Sequence, residues 1–337
     1  MACITLWSVV TLVFILFNVL PDPARLLLGQ RSDALGREAI VAELGLDKTP
    51  MMRYVLYLND LSPISFHMQK QTLGNYDILF QAQFGQNIFL LKKPYLKKSF
   101  QSKKPVNQII AEAFTGTFFL AVLALLIAVV SGIPLGILAA LNFNKITDRL
   151  ILFFATIGIS VPSFFSAIVI AWLFGYLLHD FTGLNMTGSL YAYDFDSGLY
   201  IEWRNVILPS IALGIRPLAI ITQLTRSSML EVLTQDYIRT AYAKGLNRYQ
   251  VIKKHALRNA LNPVITSISG WFASMLAGAF FIEYIFNWHG IGKVTVEALD
   301  KADYPVVTGM VLLIAVIFIT VNLFVDWLYK RLDPRVQ

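Results

Sequence analysis

Seven basic side chains gather between Asp236 and Pro263: Arg239, Lys244, Arg248, Lys253, Lys254, His255 and Arg258, with Asp236 as the single acid. Such a cluster can hold phosphates, meet an acidic protein surface, or mark one side of a membrane. The spacing of Ala241, Gly245 and Val251 matches a DNA-binding helix-turn-helix. Both flanks enter apolar spans within a few residues, so no soluble domain could present a helix to a groove. A basic loop obeying the positive-inside rule explains the charge. It does not explain the punctuation. Asp236 can cap a helix running to about Lys244. Gly245 takes the left-handed position that ends helices, with Leu246 as its hydrophobic contact. Asn247 and Gln250 are spaced as a capping box for a second helix. That helix turns Val251, Ile252 and Ala256 to one side, and Pro263 opens the next span. The segment therefore reads as two short helices held at a sharp corner.

Other candidate chemistry falls away on inspection. Gly290-Ile291-Gly292-Lys293-Val294-Thr295 resembles half a phosphate-binding loop. Asn287 stands where the first glycine belongs, and Val294 follows the lysine. No nucleophile elbow, zincin motif or Ser-x-x-Lys is present, so no catalytic residue is assigned. The histidines (His67, His179, His255, His289) are scattered, and the lone Cys3 permits neither a disulfide nor a cysteine metal cage. Two charges lie inside apolar spans, Arg216 and Glu283. A charge in hydrocarbon is costly, so each is expected to face a bundle interior or water, where it could line a solute path. Structural pairing, snorkelling, or a place near the outer interface are the plainer alternatives.

The elements that must position these groups are membrane spans. Of 337 residues, 56% are hydrophobic, more than a soluble domain can bury. Apolar runs fall at Ile4–Leu20, Ala113–Leu141, Leu150–Leu178, Asn205–Thr225, Val264–Phe286 and Val306–Val325. The first is expected to be a retained span, because it lacks a basic n-region and a small-x-small cleavage site. The missing basic residues leave it short, with a missing or misassigned start as an open alternative. Gly132 and Gly136, around Pro134, form a small-xxx-small face for close helix packing. Pro162 interrupts the third run, and Pro209 and Pro217 are expected to break the fourth. Between the first two spans lies a long polar excursion. Glu38–Leu46 reads as a short helix there, and Ile64–Lys98 as an amphipathic surface insertion near the headgroups. The loops at 179–204 and 287–305 carry most of the short-loop acids; the basic segment and Lys330-Arg331 lie on the other side. The positive-inside rule thus places the basic loop and both termini in the cytoplasm.

The segment Arg239-Thr240-Ala241-Tyr242-Ala243-Lys244-Gly245-Leu246, with His255-Ala256-Leu257-Arg258-Asn259-Ala260-Leu261-Asn262-Pro263, resembles the EAA loop of ABC-importer permeases. It has the form of the oligopeptide/dipeptide/nickel class, B-type subunit. Arg239 and Thr240 replace the general Glu and Ala, and His255 and Arg258 replace Ile and Pro, as that class does. Leu20–Gln30, Glu43–Lys48, Gly132–Leu141, Ser160–Phe165, Leu332–Arg335 and the W-x-G-x-G at Trp288–Gly292 are similar to it too. Only about Ile64–Lys98 has no counterpart we could match. The resemblance implies an all-α integral membrane protein with six transmembrane helices of the type I importer kind. It would divide into a first helix (1–20), an extracytoplasmic segment (21–106), a permease core (107–330) holding the coupling loop (230–263), and a cytoplasmic tail (331–337). It also implies a bacterial inner-membrane location, a second homologous permease, two ATP-binding subunits and an extracytoplasmic solute-binding protein. This chain would bind no cofactor, ATP being used by its partners. Contact with an ATP-binding subunit would fall to Tyr237, Arg239, Thr240, Ala241, Ala243, Lys244, Gly245, Leu246, Asn247, His255 and Arg258. The small Ala241 and Ala243 would allow close approach to that surface. Peptide is the leading solute, with nickel chelate or glutathione as alternatives. A stand-alone secondary transporter or channel, or an intramembrane enzyme, would need coupling charges or a catalytic set that the sequence does not supply.

Overall fold

A computed structural model describes residues 2–19, 47–67, 76–84, 87–196 and 198–332. The expected helix at Glu38–Leu46, and the similar stretches Leu20–Gln30 and 333–335, lie outside the described residues. The chain falls into two compact units, 1–111 with 297–316, and 112–296 with 317–337.

In the first unit, α1 (Ala2–Val19) is followed by α2 (Pro50–Leu61), whose N-cap Thr49 accepts from the Met52 amide. The stretch after it, expected as an amphipathic surface insertion, folds as strands. β1 (Ile64–His67), β2 (Ile78–Phe84) and β3 (Asn87–Lys92) form an antiparallel sheet in the order β1-β3-β2. Ile88 and Leu90 are buried on one side of β3, while Leu91 is exposed, the alternation of a half-covered sheet. Lys92 is also buried, its Nζ donating to the Asp60 carbonyl and standing 4.1 Å from the Tyr76 ring centre. Burial depresses the pKa of that ammonium, partly offset by the charge of Asp60. Asp303, which reads as a loop acid, is buried, accepting from the Ser99 hydroxyl and the Phe100 amide.

The second unit is helical apart from a two-stranded hairpin, β4 (Tyr191–Asp194) with β5 (Gly198–Ile201). α3 (Val106–Leu141) enters it and runs through Pro134 unbroken. α4 (Ile146–Ser160) and α5 (Ser163–Trp172) meet at Pro162 with a 107° bend, and α5 continues as a π turn over Leu173–Leu177. The residue before a proline is driven out of the helical region, and Val161 accordingly sits at ψ 131°. A short α6 (His179–Thr182) precedes the hairpin.

The long α7 (Arg204–Leu233) is the axis of this unit. The expected breaks at Pro209 and Pro217 do not occur. A helix in an apolar bundle tolerates proline when neighbours re-satisfy the freed groups, and both prolines are buried among packed helices. After the basic loop come α11 (Asn262–Leu276), α12 (Phe280–Ile285) and α13 (Ile291–Asp300), then α14 (Tyr304–Leu332). The fifth apolar run is therefore broken at 277–279, where Gly278 lies at φ +113°. The loop expected at 287–305 is largely α13. Among the described residues, α3, α7 and α14 are each long and apolar enough to cross a membrane, and the α4–α5 pair, bent by 107°, is a fourth when taken as one broken span. Phe118, Phe119, Val122, Leu126 and Val130 on α3 remain exposed, as an apolar medium permits.

Helices in lipid associate by close packing rather than by hydrophobic exclusion from water. Here α7 is approached by glycines. A Cβ at Gly136 would stand 2.5 Å from the Thr225 Cβ and 2.6 Å from the Thr222 carbonyl oxygen. A Cβ at Gly132 would lie 2.9 Å from the Leu218 oxygen. The small-residue face on α3 thus meets α7 directly. Gly136→Ala is expected to cost about 1–3 kcal/mol through overpacking. Gly270→Ala, in α11 with open space around it, should be neutral or stabilising by up to about 1 kcal/mol. Thermal unfolding of the purified protein in detergent checks this, and equal midpoints for the two variants would contradict the packing account.

Candidate functional site

The basic segment folds as two short helices around a fixed corner. α8 covers Asp236–Ala243. Asp236 does not cap it: Gln235 holds the N-cap position without a side-chain bond. Asp236 instead occupies the first turn, where a carboxylate suits the positive helix end, and meets exposed Arg239 at 3.6 Å. At the other end the Gly245 amide donates to the Tyr242 carbonyl at 2.9 Å and the Leu246 amide to the Ala241 carbonyl at 3.4 Å. Those two bonds are a Schellman ending, with Gly245 left-handed at φ +83°.

Asn247 then caps the second helix. Its side chain accepts from the Gln250 amide at 2.9 Å, and the Gln250 side chain accepts from the Asn247 amide at 3.2 Å. This is the capping box its spacing suggested. The second helix is not regular. α9 (Arg248–Gln250) passes into a π stretch, Val251–Ala256, and then α10 (Leu257–Ala260). Nothing in the residue pattern signalled the π stretch.

One side of this corner is apolar and buried. Ile238, Ala241, Val251, Ala256 and Ala260 form a core with Ala140 at the end of α3 and Met229 near the end of α7, and Leu246 packs against it. Ala241 is thus small because it faces its own core, a correction to its expected place on a partner surface. Tyr237, Arg239, Thr240, Ala243, Lys244, Gly245, Asn247 and Arg258 are exposed, and His255 is half-buried. Ties across the corner hold it to the bundle. Asn259 Nδ2 donates to the Tyr237 hydroxyl at 2.8 Å, and Arg248 donates to the Leu141 carbonyl at 3.4 Å.

Beside this core lies an ion pair the sequence reading missed. Arg226 donates from Nε to Asp148 Oδ1 at 2.6 Å and from Nη2 to Oδ2 at 2.8 Å. The Asn144 amide donates to the same carboxylate, and the Phe143 ring lies 5.3 Å from the guanidinium. Both oxygens are used in a bidentate fork, the strong form of such a pair. The available signal was an acid at the start of one apolar run and an arginine at the end of the next.

Glu283 and Arg216 part company. Glu283 is fully buried. Its Oε1 accepts from the Thr117 hydroxyl at 2.7 Å and its Oε2 from the Lys293 amide at 3.1 Å. The Thr117 hydroxyl also accepts from the Ile291 amide. The carboxylate therefore holds the start of α13, where free amides and the helix dipole favour an anion. Gly290 and Gly292 make room for it: a Cβ at Gly290 would stand 2.6 Å from the Glu283 carboxyl carbon. Trp288 is buried alongside, donating from Nε1 to the Gly116 carbonyl. The W-x-G-x-G segment thus builds a cradle for a buried carboxylate. Arg216, by contrast, lines an open cavity of about 670 Å³ with Trp271, Phe280, Phe281 and Tyr284. None of those aromatics had been singled out from sequence, where a span aromatic reads as ordinary core. No group of acids, histidines or cysteines that could hold a metal ion occurs among the described residues.

Comparison with known proteins gives this geometry its family. The model of a binding-protein-dependent transport system inner membrane component matches residues 132–337. The dipeptide transport system permease protein DppB of Bacillus subtilis is 37% identical over 333 residues, covering 99% of this chain and 94% of the relative. DppB of Alkalihalophilus pseudofirmus is 34% identical, covering 96% and 93%. The glutathione transport system permease protein GsiC of Escherichia coli is 34% identical, covering 99% and 95%. In fold, the chain is similar to the MetNI methionine ABC transporter in an inward-facing conformation (TM-score 0.52, 14% identity, 67% of this chain and 97% of that one). An amino acid ABC transporter chain gives TM-score 0.51 at 14% identity, covering 67% and 94%. The chain belongs to the family of binding-protein-dependent transport system inner membrane components, the permease subunits of ABC importers.

Proposed function

We propose that this inner-membrane permease forms, with a second homologous permease, the path by which a short peptide enters the cell. Two ATP-binding subunits would drive it and an extracytoplasmic binding protein would load it. This chain binds no cofactor in this reading, and ATP is used by the partners. The peptide assignment draws on the DppB relatives. Glutathione is the second reading, favoured by the GsiC relatives at 34% identity. Both solutes are small peptides with free carboxylates.

The observation that carries the coupling role is the corner at Gly245. Its inner side is fused to the ends of α3 and α7, and its outer side is polar, basic and exposed. A body of that kind transmits a push, whereas a loose loop would absorb it. The exposed members, Tyr237, Arg239, Thr240, Ala243, Lys244, Gly245, Asn247 and Arg258, would meet an ATP-binding subunit, with Leu246 and His255 behind them. Of the two in-span charges, we retain Arg216 for the solute path. Glu283 takes a positioning role, since its carboxylate is closed off by Thr117 and Lys293. In the proposed topology the basic corner, both termini and the 331–337 tail are cytoplasmic. The 21–106 segment and the β4–β5 hairpin are extracytoplasmic.

Two measurements test this reading. Within this chain a side chain at Gly245 meets no neighbouring atom, so substitution acts on the corner itself through backbone strain, roughly 1–2 kcal/mol and more for a β-branched residue. Gly245→Val should leave the complex in the membrane but abolish ATPase stimulation by solute-loaded binding protein. Gly245→Asn, which tolerates the left-handed region, should retain most of it. A fully stimulated Gly245→Val complex ends the coupling reading. For topology, single cysteines replacing Asp194, Asp300 or Lys244 are introduced with Cys3 changed to Ser. An impermeant thiol reagent on intact cells should label positions 194 and 300 and spare 244. The reverse pattern overturns the orientation.

A further inference from the structure

The cavity at the bend between α4 and α5 is lined by Ser163, the middle of α7, and the break between α11 and α12. Its walls are apolar and rich in aromatics: Trp271, Phe280, Phe281 and Tyr284. Among the described residues, Arg216 is the one charged side chain lining it. At about 670 Å³ it falls in the size range of small-molecule sites.

Arg216 makes no hydrogen bond or ion pair with any of the described residues. Three other charges of these spans find partners within the subunit. Asp148 takes Arg226 in a bidentate fork, and Glu283 is closed by Thr117 and Lys293. Arg216 is exposed where it lines the cavity, and an arginine keeps its proton, so an anion entering the cavity finds an unpaired guanidinium there. The planar guanidinium fork matches a carboxylate in two parallel bonds, and the surrounding rings suit the apolar body to which that carboxylate is attached. We infer that this cavity is a solute subsite in which Arg216 receives the free carboxylate of a peptide while the aromatic walls hold its apolar side chain. This rests on the permease reading and narrows its substrate class to solutes with an unblocked carboxylate.

The test uses the whole transporter, both permeases and both ATP-binding subunits, in proteoliposomes with its binding protein. The probes are radiolabelled alanyl-phenylalanine and its C-terminal amide. The binding protein is the same in every assay, so a change in the uptake ratio of acid to amide reports the permease. Arg216→Gln should shrink that ratio roughly ten- to hundredfold, as expected for loss of hydrogen bonds between charged groups. Arg216→Lys, which keeps the charge and loses the fork, should give an intermediate ratio. An unchanged ratio in Arg216→Gln overturns the subsite. So does loss of the second permease from the purified Arg216→Gln complex, which would make the arginine an intersubunit anchor. ATP-dependent uptake of alanyl-phenylalanine by the wild-type complex reports the permease reading separately. Its presence with an unchanged Arg216→Gln ratio removes the subsite alone, and its absence removes both.

Discussion

The close approach of backbones along α7 is the constraint on which the 112–296 unit depends. Exclusion from water cannot hold helices together in lipid, so contact distance must do it. Gly132 and Gly136 bring α3 against α7, Gly158 brings α4 against Ile215 and Ala219, and Gly214 brings α7 against the Ala124 carbonyl. Each is a place where a methyl group would meet an atom at or inside tight contact. The dense axis that results also explains why Pro209 and Pro217 leave α7 continuous. A helix gripped from several sides has little freedom to kink, and both prolines are buried.

Charge follows the same logic. In a medium of low polarity a charge is tolerable when its partner is supplied within the fold. Asp148 with Arg226 fastens the start of α4 to α7. Glu283 receives one hydroxyl and the amides that begin α13, and the glycines at 290 and 292 let the chain pass close enough to provide them. These groups serve structure. Arg216 departs from the rule, and a departure from local consistency is where function is to be sought.

What the sequence disclosed, and what it hid, divides along the range of the interactions. The corner at Gly245 was legible because its determinants are local: a left-handed glycine, and Asn247 with Gln250 three residues apart. The apolar runs were legible by composition. The breaks inside them were read only in part. Pro162 does bend its run, but Pro209 and Pro217 do not, because the outcome depends on neighbours that a linear pattern does not reveal. The break at 277–279 carried no proline, only Gly278 among apolar residues. Pairings across distant positions, such as Asp148 with Arg226 or Thr117 with Glu283, were invisible for the same reason. The sheet of β1, β2 and β3 was not read because an aromatic and lysine pattern marks an amphipathic surface without deciding between helix and strand.

The inward burial of Ala241 changes how the coupling corner is understood. Were Ala241 and Ala243 both on the surface, the loop would be a docking patch whose stiffness came from its partner. Instead Ile238, Ala241, Val251, Ala256 and Ala260 pack on Ala140 and Met229, so the corner is stiff before any partner arrives. The capping box and the Schellman ending fix the angle between its helices, and the buried core fixes that angle to α3 and α7. A displacement applied at the exposed basic side must therefore move the adjoining ends of both helices together. α7 is the helix that carries Arg216 at its middle, and Arg226, two turns and more further on, ties it to α4 through Asp148. The same element thus joins the surface proposed to receive the push to the cavity proposed to hold the solute, since Arg216 and Leu233 lie on one helix that continues through Pro217 and is packed closely by the glycines of its neighbours.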